Sequence, residues 1–260
     1  MRILLSNDDG IGSQGLNMLA AAARRLTQDV WVLAPEGNRS AVGHGITLRD
    51  TLRLTRLGDR EYSCSGTPAD CIIAAQTWLF AATQPPDLVL SGINAGINVA
   101  EDIAYSGTMA AAREAVFWGI PAISLSRPRD VGRYDERECA WLAGALRHLW
   151  ACRAQWSGRG GWLNINLPAS LPAPLREARI GRHKIGRSSQ VVSAEGDEIR
   201  LQISNGRDGA YREGDECPLI DAGYASVTNV TWSASTPLPP GFCDAPAPQD
   251  MNEPIAIAPT

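Results

Sequence analysis

The sequence predicts an α/β fold with a mostly parallel sheet, helices on both its faces, and a C-terminal extension containing hairpins. Three observations carry this. The apolar run at residues 3–5 breaks into polar residues, helical spacing follows over residues 16–26 (Leu16, Leu19, Ala20, Ala23), and a second apolar run follows at residues 30–34. A strand–loop–helix–strand unit of this kind belongs to a parallel sheet. The pattern then recurs: Asp87-Leu88-Val89-Leu90 reads as a strand, residues 108–118 as an alanine-rich helix closed by Gly119, and residues 121–125 as the next strand. Between the two units, Thr67-Pro68-Ala69-Asp70 opens a helix running to about residue 82. Threonine caps it, proline fits the first turn, and aspartate sits three residues after the cap.

Beyond Pro128 the pattern changes. Residues 136–149 read as a helix and 162–167 as a strand, and residues 190–193 face 198–203 in a hairpin through Glu195-Gly196-Asp197. The last 24 residues hold seven of the 17 prolines and read as an extended tail. The expected division is therefore a catalytic domain at 1–128, the remainder of the α/β fold with oligomerisation hairpins at 129–234, and a Pro-rich tail at 235–260. Hairpins of this kind need another surface to bury against, which predicts a homodimer or larger homo-oligomer.

Composition excludes several classes. The 260 residues are 44% apolar, enough for a sizeable core, and the net charge is −4, which offers no general attraction to a nucleic-acid polymer or an anionic membrane. Lys184 is the only lysine and lacks the glycine context of a Walker A loop. Only His44, His148 and His183 are present, so a metal site built on several histidines is poorly supported. Oxygen ligands, and with them magnesium or manganese, fit better. The six cysteines form no C-x-x-C pair, no stretch approaches the ~18 apolar residues of a membrane span, and the N-terminus lacks a signal-peptide run. A reducing cytoplasm is expected.

Four polar clusters end strands or open helices on what should be one rim, where open α/β sheets bind ligands. Asp8-Asp9 follows the first strand; adjacent carboxylates repel unless a cation compensates, although Asn7-Asp8-Asp9-Gly10 is also ordinary turn chemistry. Glu36-Gly37-Asn38-Arg39-Ser40 follows the second strand. Ser91-Gly92-Ile93-Asn94-Ala95-Gly96-Ile97-Asn98 places glycines and two amides after the third. Tyr105-Ser106-Gly107-Thr108 opens a helix, whose free N–H groups and hydroxyls suit an anion; a side chain at Gly107 would be expected to crowd that anion. Metal plus phosphate is the economical account of the four together.

These motifs, with Gly66-Thr67-Pro68 between the second and third, resemble in order and spacing those of the SurE family of survival-protein nucleotidases over about the first 125 residues. The resemblance implies a Rossmann-like domain and a homodimer or homotetramer built partly from C-terminal extensions. It also implies one divalent metal held by Asp8, Asp9, Ser40 and Asn94, with Asn98, Ser106, Gly107 and Thr108 on the phosphate side. The implied activity is hydrolysis of nucleoside 5′-monophosphates, and in some members of 3′-monophosphates or short polyphosphate. Ile97 stands where the family often has proline, and Ile11-Gly12-Ser13-Gln14-Gly15 keeps only the final glycine of the usual loop. With no activated serine or cysteine in view, direct attack by a metal-bound water is expected, Asp8 or Asp9 serving as catalytic carboxylates. A haloacid-dehalogenase-type enzyme would want two aspartates one residue apart rather than adjacent. A nucleotide sensor without turnover is the alternative on the same fold. His44, within Gly43-His44-Gly45, is read as a loop residue outside the site.

Overall fold

A computed structural model describes residues 1–232 except 130, 133, 159, 183–185, 187 and 205–210. Lys184, His183 and the tail at 235–260 therefore lie outside the described residues. The first unit consists of β1 (Ile3–Ser6), α1 (Gln14–Arg24) and β2 (Val30–Pro35). An antiparallel pair follows, β3 (Leu54–Gly58) and β4 (Glu61–Cys64), which the sequence pattern did not announce. Next come α2 (Pro68–Ala74), β5 (Leu88–Ala95), the one-turn α3 (Asp102–Tyr105), α4 (Gly107–Phe117) and β6 (Ala122–Arg127). The chain continues through α5 (Glu136–Ala151), β7 (Gly161–Asn166), β8 (Leu175–Glu177), β9 (Ser189–Glu195), β10 (Glu198–Ile203), α6 (Glu216–Asp221) and β11 (Ala225–Thr231).

Nine strands form one sheet in the order β3-β4-β2-β1-β5-β6-β7-β11-β8. From β4 to β7 every neighbour is parallel, whereas β3 and β11 run antiparallel to β4 and β7. The strand order reverses at β1, between β2 and β5, so the carboxyl ends of β1 and β5 flank the crevice where such sheets take ligands. β1, β6 and β7 are buried throughout their length, as strands covered on both faces must be. Leu16, Leu19 and Ala23 of α1 and Leu142 and Leu146 of α5 cover one face. Ile72 of α2 and Met109, Ala112 and Ala115 of α4 cover the other. Among the described residues no helix is long and apolar enough to cross a membrane.

Two elements differ from expectation in ways that matter for the site. The helix opened by Thr67 has the anticipated capping box, with Thr67 and Asp70 bonding reciprocally. It widens into a π-turn at Ala75–Leu79 and ends there, short of residue 82. The strand expected to stop at Leu90 continues to Ala95, and its pairing with β6 slips between Ser91 and Asn94. That bulge re-aims the strand end. A Cβ at Gly92 would sit 2.3 Å from the Leu125 carbonyl oxygen, and one at Gly15 would sit 1.9 Å from that of Ile93, so glycine alone permits both approaches.

Candidate metal and phosphate cleft

The turn after β1 is closed by Asn7, whose Nδ2 donates to the Gly10 carbonyl at 3.0 Å and to Ser13 Oγ at 2.7 Å. This turn carries Asp8 and Asp9 out at the sheet rim. Asp8 is buried and Asp9 half-buried. The Asp8 carbonyl accepts the Arg39 N–H at 2.7 Å, joining the β1 turn to the loop after β2. In that loop Asn38 Oδ1 accepts the Ser40 N–H at 2.9 Å, which fixes the exposed Ser40. Asp9 Oδ2 accepts the Ala95 N–H at 2.8 Å, tying the second carboxylate to the end of β5. Asn94 donates from Nδ2 to the Gly96 carbonyl at 2.6 Å, so its Oδ1 is the end of the amide available to a cation.

A cleft of about 520 Å³ joins these elements, with Asp8, Ser40, Asn94, Asn98 and Ser106 in its wall. Arg129 also lines it, which sequence reasoning did not single out; its Nε donates to the Ala95 carbonyl at 2.9 Å. Ser106 caps α4, accepting the Met109 N–H at 3.3 Å. A capping hydroxyl that accepts in this way can still donate its own proton outward.

Thr108 and Gly107, expected on the phosphate side, both lie against Asp8. Thr108 is fully buried and its hydroxyl donates to Asp8 Oδ1 at 2.5 Å. A Cβ at Gly107 would lie 2.8 Å from Asp8 Cβ and 3.0 Å from Pro68 Cγ. The anion nearest the N-terminus of α4 is therefore the Asp8 carboxylate itself, and Gly107 is small because Asp8 passes over it. Burial raises the Asp8 pKa above the usual carboxylate range and the Asp9 charge adds to this, while the Thr108 bonds act in the opposite direction.

The donor set suits a hard divalent ion. Two carboxylates, a hydroxyl and an amide carbonyl supply only oxygen. Among the described residues no group of three or more His, Cys, Asp or Glu is placed to hold a metal, so the amide and hydroxyl must complete any set here. A cation beside Asp8 and Asp9 would also offset both the burial and the Asp9 charge that lift Asp8.

His44 lies outside the cleft. Its Nε2 pairs with Glu114 Oε2 at 2.8 Å and its ring stacks on Phe117. It lines a second cavity of about 540 Å³, with Arg113, Phe117, Trp162 and Trp232, that carries no pair of carboxylates. The sequence reading also missed Ser126, Asn164 and Asn166, which surround Asn98. The available signal was the S-x-S and N-x-N alternation inside two apolar strands.

A family model described as survival protein SurE matches residues 3–190. The chain is 37% identical to the 5′-nucleotidase SurE of Rhodopseudomonas palustris over 249 residues, covering 88% of this chain and 92% of that protein. It is 50% identical to the 5′-nucleotidase SurE of Bradyrhizobium diazoefficiens over 193 residues, covering 72% and 74%. The crystal structure of the SurE protein from Aquifex aeolicus superposes with a TM-score of 0.72 at 30% identity, covering 90% of this chain and 95% of that one.

Proposed function

The chain belongs to the SurE family, and from that premise we propose that it is a divalent-metal-dependent phosphatase acting on nucleoside 5′-monophosphates. The observation that carries this is the meeting of Asp8, Ser40 and Asn94 with Ser106 and Asn98 in one cleft, between oxygen donors suited to a cation and donors suited to a phosphoryl group. Nucleoside 3′-monophosphates and short polyphosphate present the same terminal phosphoryl group and are included in the proposal.

Magnesium or manganese held by Asp8, Asp9, Ser40 and Asn94 would neutralise phosphoryl charge and acidify a water for attack. The chain's own residues supply the rest. Thr108 and Gly107 fix the Asp8 carboxylate, and the Ala95 N–H fixes that of Asp9. The Ser106 hydroxyl and the Asn98 amide face the cleft as donors to non-bridging oxygens, where charge builds as the bond to the leaving group breaks. Arg129, in the same wall, adds positive charge to the cleft. We place the enzyme in a reducing cytoplasm, because the five cysteines among the described residues are all free. We further propose a homodimer or homotetramer, in which the β9–β10 hairpin finds the surface that it lacks among the described residues.

Phosphate release from a panel of 5′- and 3′-mononucleotides, with EDTA and then with added magnesium or manganese, tests the proposal. Release that EDTA abolishes and either ion restores is expected. Full activity in excess EDTA after dialysis would remove the metal from the mechanism. Nucleotide binding without release under any ion would leave the sensor in its place.

A further inference from the structure

Polar residues alternate with apolar ones in two strands that are covered on both faces. Ser124 and Ser126 of β6 stand opposite Asn164 and Asn166 of β7, and all four are fully buried. Their alternates Ile123, Leu125, Leu163 and Ile165 pack in the core beneath α1 and α5. The polar four therefore lie on the α4 face, following Ala122 and Trp162 of that core. Burying hydroxyls and amides is unfavourable unless they find partners, so the placement asks for a reason.

The main chain of Asn98 supplies one. Asn166 Oδ1 accepts the Asn98 N–H at 2.7 Å, and Asn166 Nδ2 donates to the Asn98 carbonyl at 3.0 Å. One side chain thus makes the pair of bonds that a neighbouring strand would make. Asn164 Nδ2 adds a second donor to the same carbonyl at 2.9 Å. Ser124 Oγ lies 3.2 Å from both Asn164 Oδ1 and the Leu163 carbonyl oxygen, within reach of that amide. Ser126 Oγ accepts from Asn98's own Nδ2 at 2.8 Å, which sets the rotation of the Asn98 side chain. The two rows continue onto β11 as Ser226 and Thr228, whose hydroxyls have no hydrogen-bond partner among the described residues. The rows are therefore not a self-satisfied polar core; the members engaged are those beneath Asn98.

We propose that Asn166, assisted by Asn164, is a positioning residue: a main-chain clamp that holds Asn98 and its amide at the phosphate side of the cleft. The inference rests on the reading of the cleft given above. It separates the two halves of the site, because Asn94 is held upstream of the clamp by pairing with Ser126 and by its bond to Gly96.

The test measures amide hydrogen exchange on the metal-free protein, then nucleotide kinetics, for Asn166→Ala. Exchange should quicken across residues 96–99 while β1 and β5 keep their protection. KM for adenosine monophosphate and Ki for inorganic phosphate should both rise about tenfold, the scale of a lost, well-formed hydrogen bond. Manganese affinity should stay within about twofold, and combining Asn166→Ala with Asn98→Ala should add little to either alone, as for residues acting as one unit. Uniform loss of protection and a lower Tm, with KM and Ki unchanged, would overturn the clamp. If Asn166→Ala does not fold, Asn166→Asp, of equal size, and Asn164→Ala are measured in the same way, and the same results uphold or overturn the clamp. If the wild type releases no phosphate from any nucleotide, the reading of the cleft fails by itself. The clamp is then decided by exchange: selective quickening at 96–99 upholds it and a uniform change refutes it.

Discussion

At the carboxyl rim of the sheet, the single residue Asp8 is reached from two elements: by Arg39 from the loop after β2, and by Thr108 and the side-chain-free Gly107 from α4. In the β9–β10 ribbon every side chain but that of Ser193 is exposed. The ribbon pairs Leu201 with Val191 across a register slip, and Ile199, Leu201 and Ile203 alternate onto one face, with Val191 beside them. These four are between 58% and 68% exposed. Both regions obey the same physics: the rim partners its two carboxylates within one chain, while the ribbon presents an apolar face that the described residues leave uncovered. A two-stranded ribbon alone is marginal in water, and an apolar face of this kind marks an interaction surface.

The comparison can be broken most forcefully at the edge of the rim. Arg127, at the end of β6, is 2% exposed and makes a two-point pair with Glu138 at 2.7 and 3.0 Å. Its carbonyl accepts the Gly96 N–H at 2.8 Å, beside the cleft. Glu138→Ala should cost about 3–5 kcal/mol, the penalty of an unpaired buried charge, read from the urea midpoint. A loss below about 1 kcal/mol would mean that the rim is less constrained than its bonds suggest.

Next in size is Asp8→Asn, which should lower phosphatase activity by ~10²–10³-fold. The metal-free variant should nevertheless melt higher than wild type at neutral pH. The sign follows from linkage: the folded pKa of Asp8 is raised, so its contribution to stability is complete below the unfolded value of about 3.9 and is lost as pH rises through the folded value. Asparagine keeps an acceptor for Thr108 and carries no charge. The Tm difference should vanish below about pH 4; a wild type that is the more stable at pH 7 without metal would contradict it.

Gly107→Ala distinguishes room for phosphate from room for Asp8. Because the new Cβ would meet Asp8 at 2.8 Å, manganese affinity should fall about tenfold, as when a ligand's support is disturbed. Calorimetry that finds a normal metal Kd and a raised KM would restore the anion reading of Gly107.

The smallest effect on the chain itself belongs to the ribbon. Ile199→Ser with Leu201→Ser should change the unfolding free energy by less than about 0.5 kcal/mol under dilute conditions, as exposed substitutions do. Light scattering at micromolar concentration should show a smaller mass than wild type. An unchanged mass, or a wild type that is already monomeric and active, would leave the apolar face without the partner proposed for it.

What could be read from the sequence follows the same division. The strands ending in Asp8-Asp9 and at Pro35, and the capped starts of α2 and α4, are local events, so periodicity and cap chemistry located them. The extension of β5 through Asn94 was not legible, because a bulge depends on the neighbouring strand. The β3–β4 pair and β11 escaped for a similar reason: their short alternations acquire meaning only from the strand beside them. A helix N-terminus that suits an anion is legible at Thr108, but the bond from Thr108 to Asp8, 100 residues away in sequence, is a tertiary fact that no local pattern carries.

The clamp on Asn98 also has a consequence in time. Asp8 and Asn166 are 158 residues apart (166 − 8), so at roughly 5–20 residues per second of synthesis the carboxylate emerges about 8–30 seconds before the amide that steadies the opposite wall. β7 in turn pairs with β11, the last of the described strands to be made. The nascent chain thus carries its acidic turn, its serine loop and its α4 helix early, and gains the support of the opposite wall only once β7, and then β11, has been made.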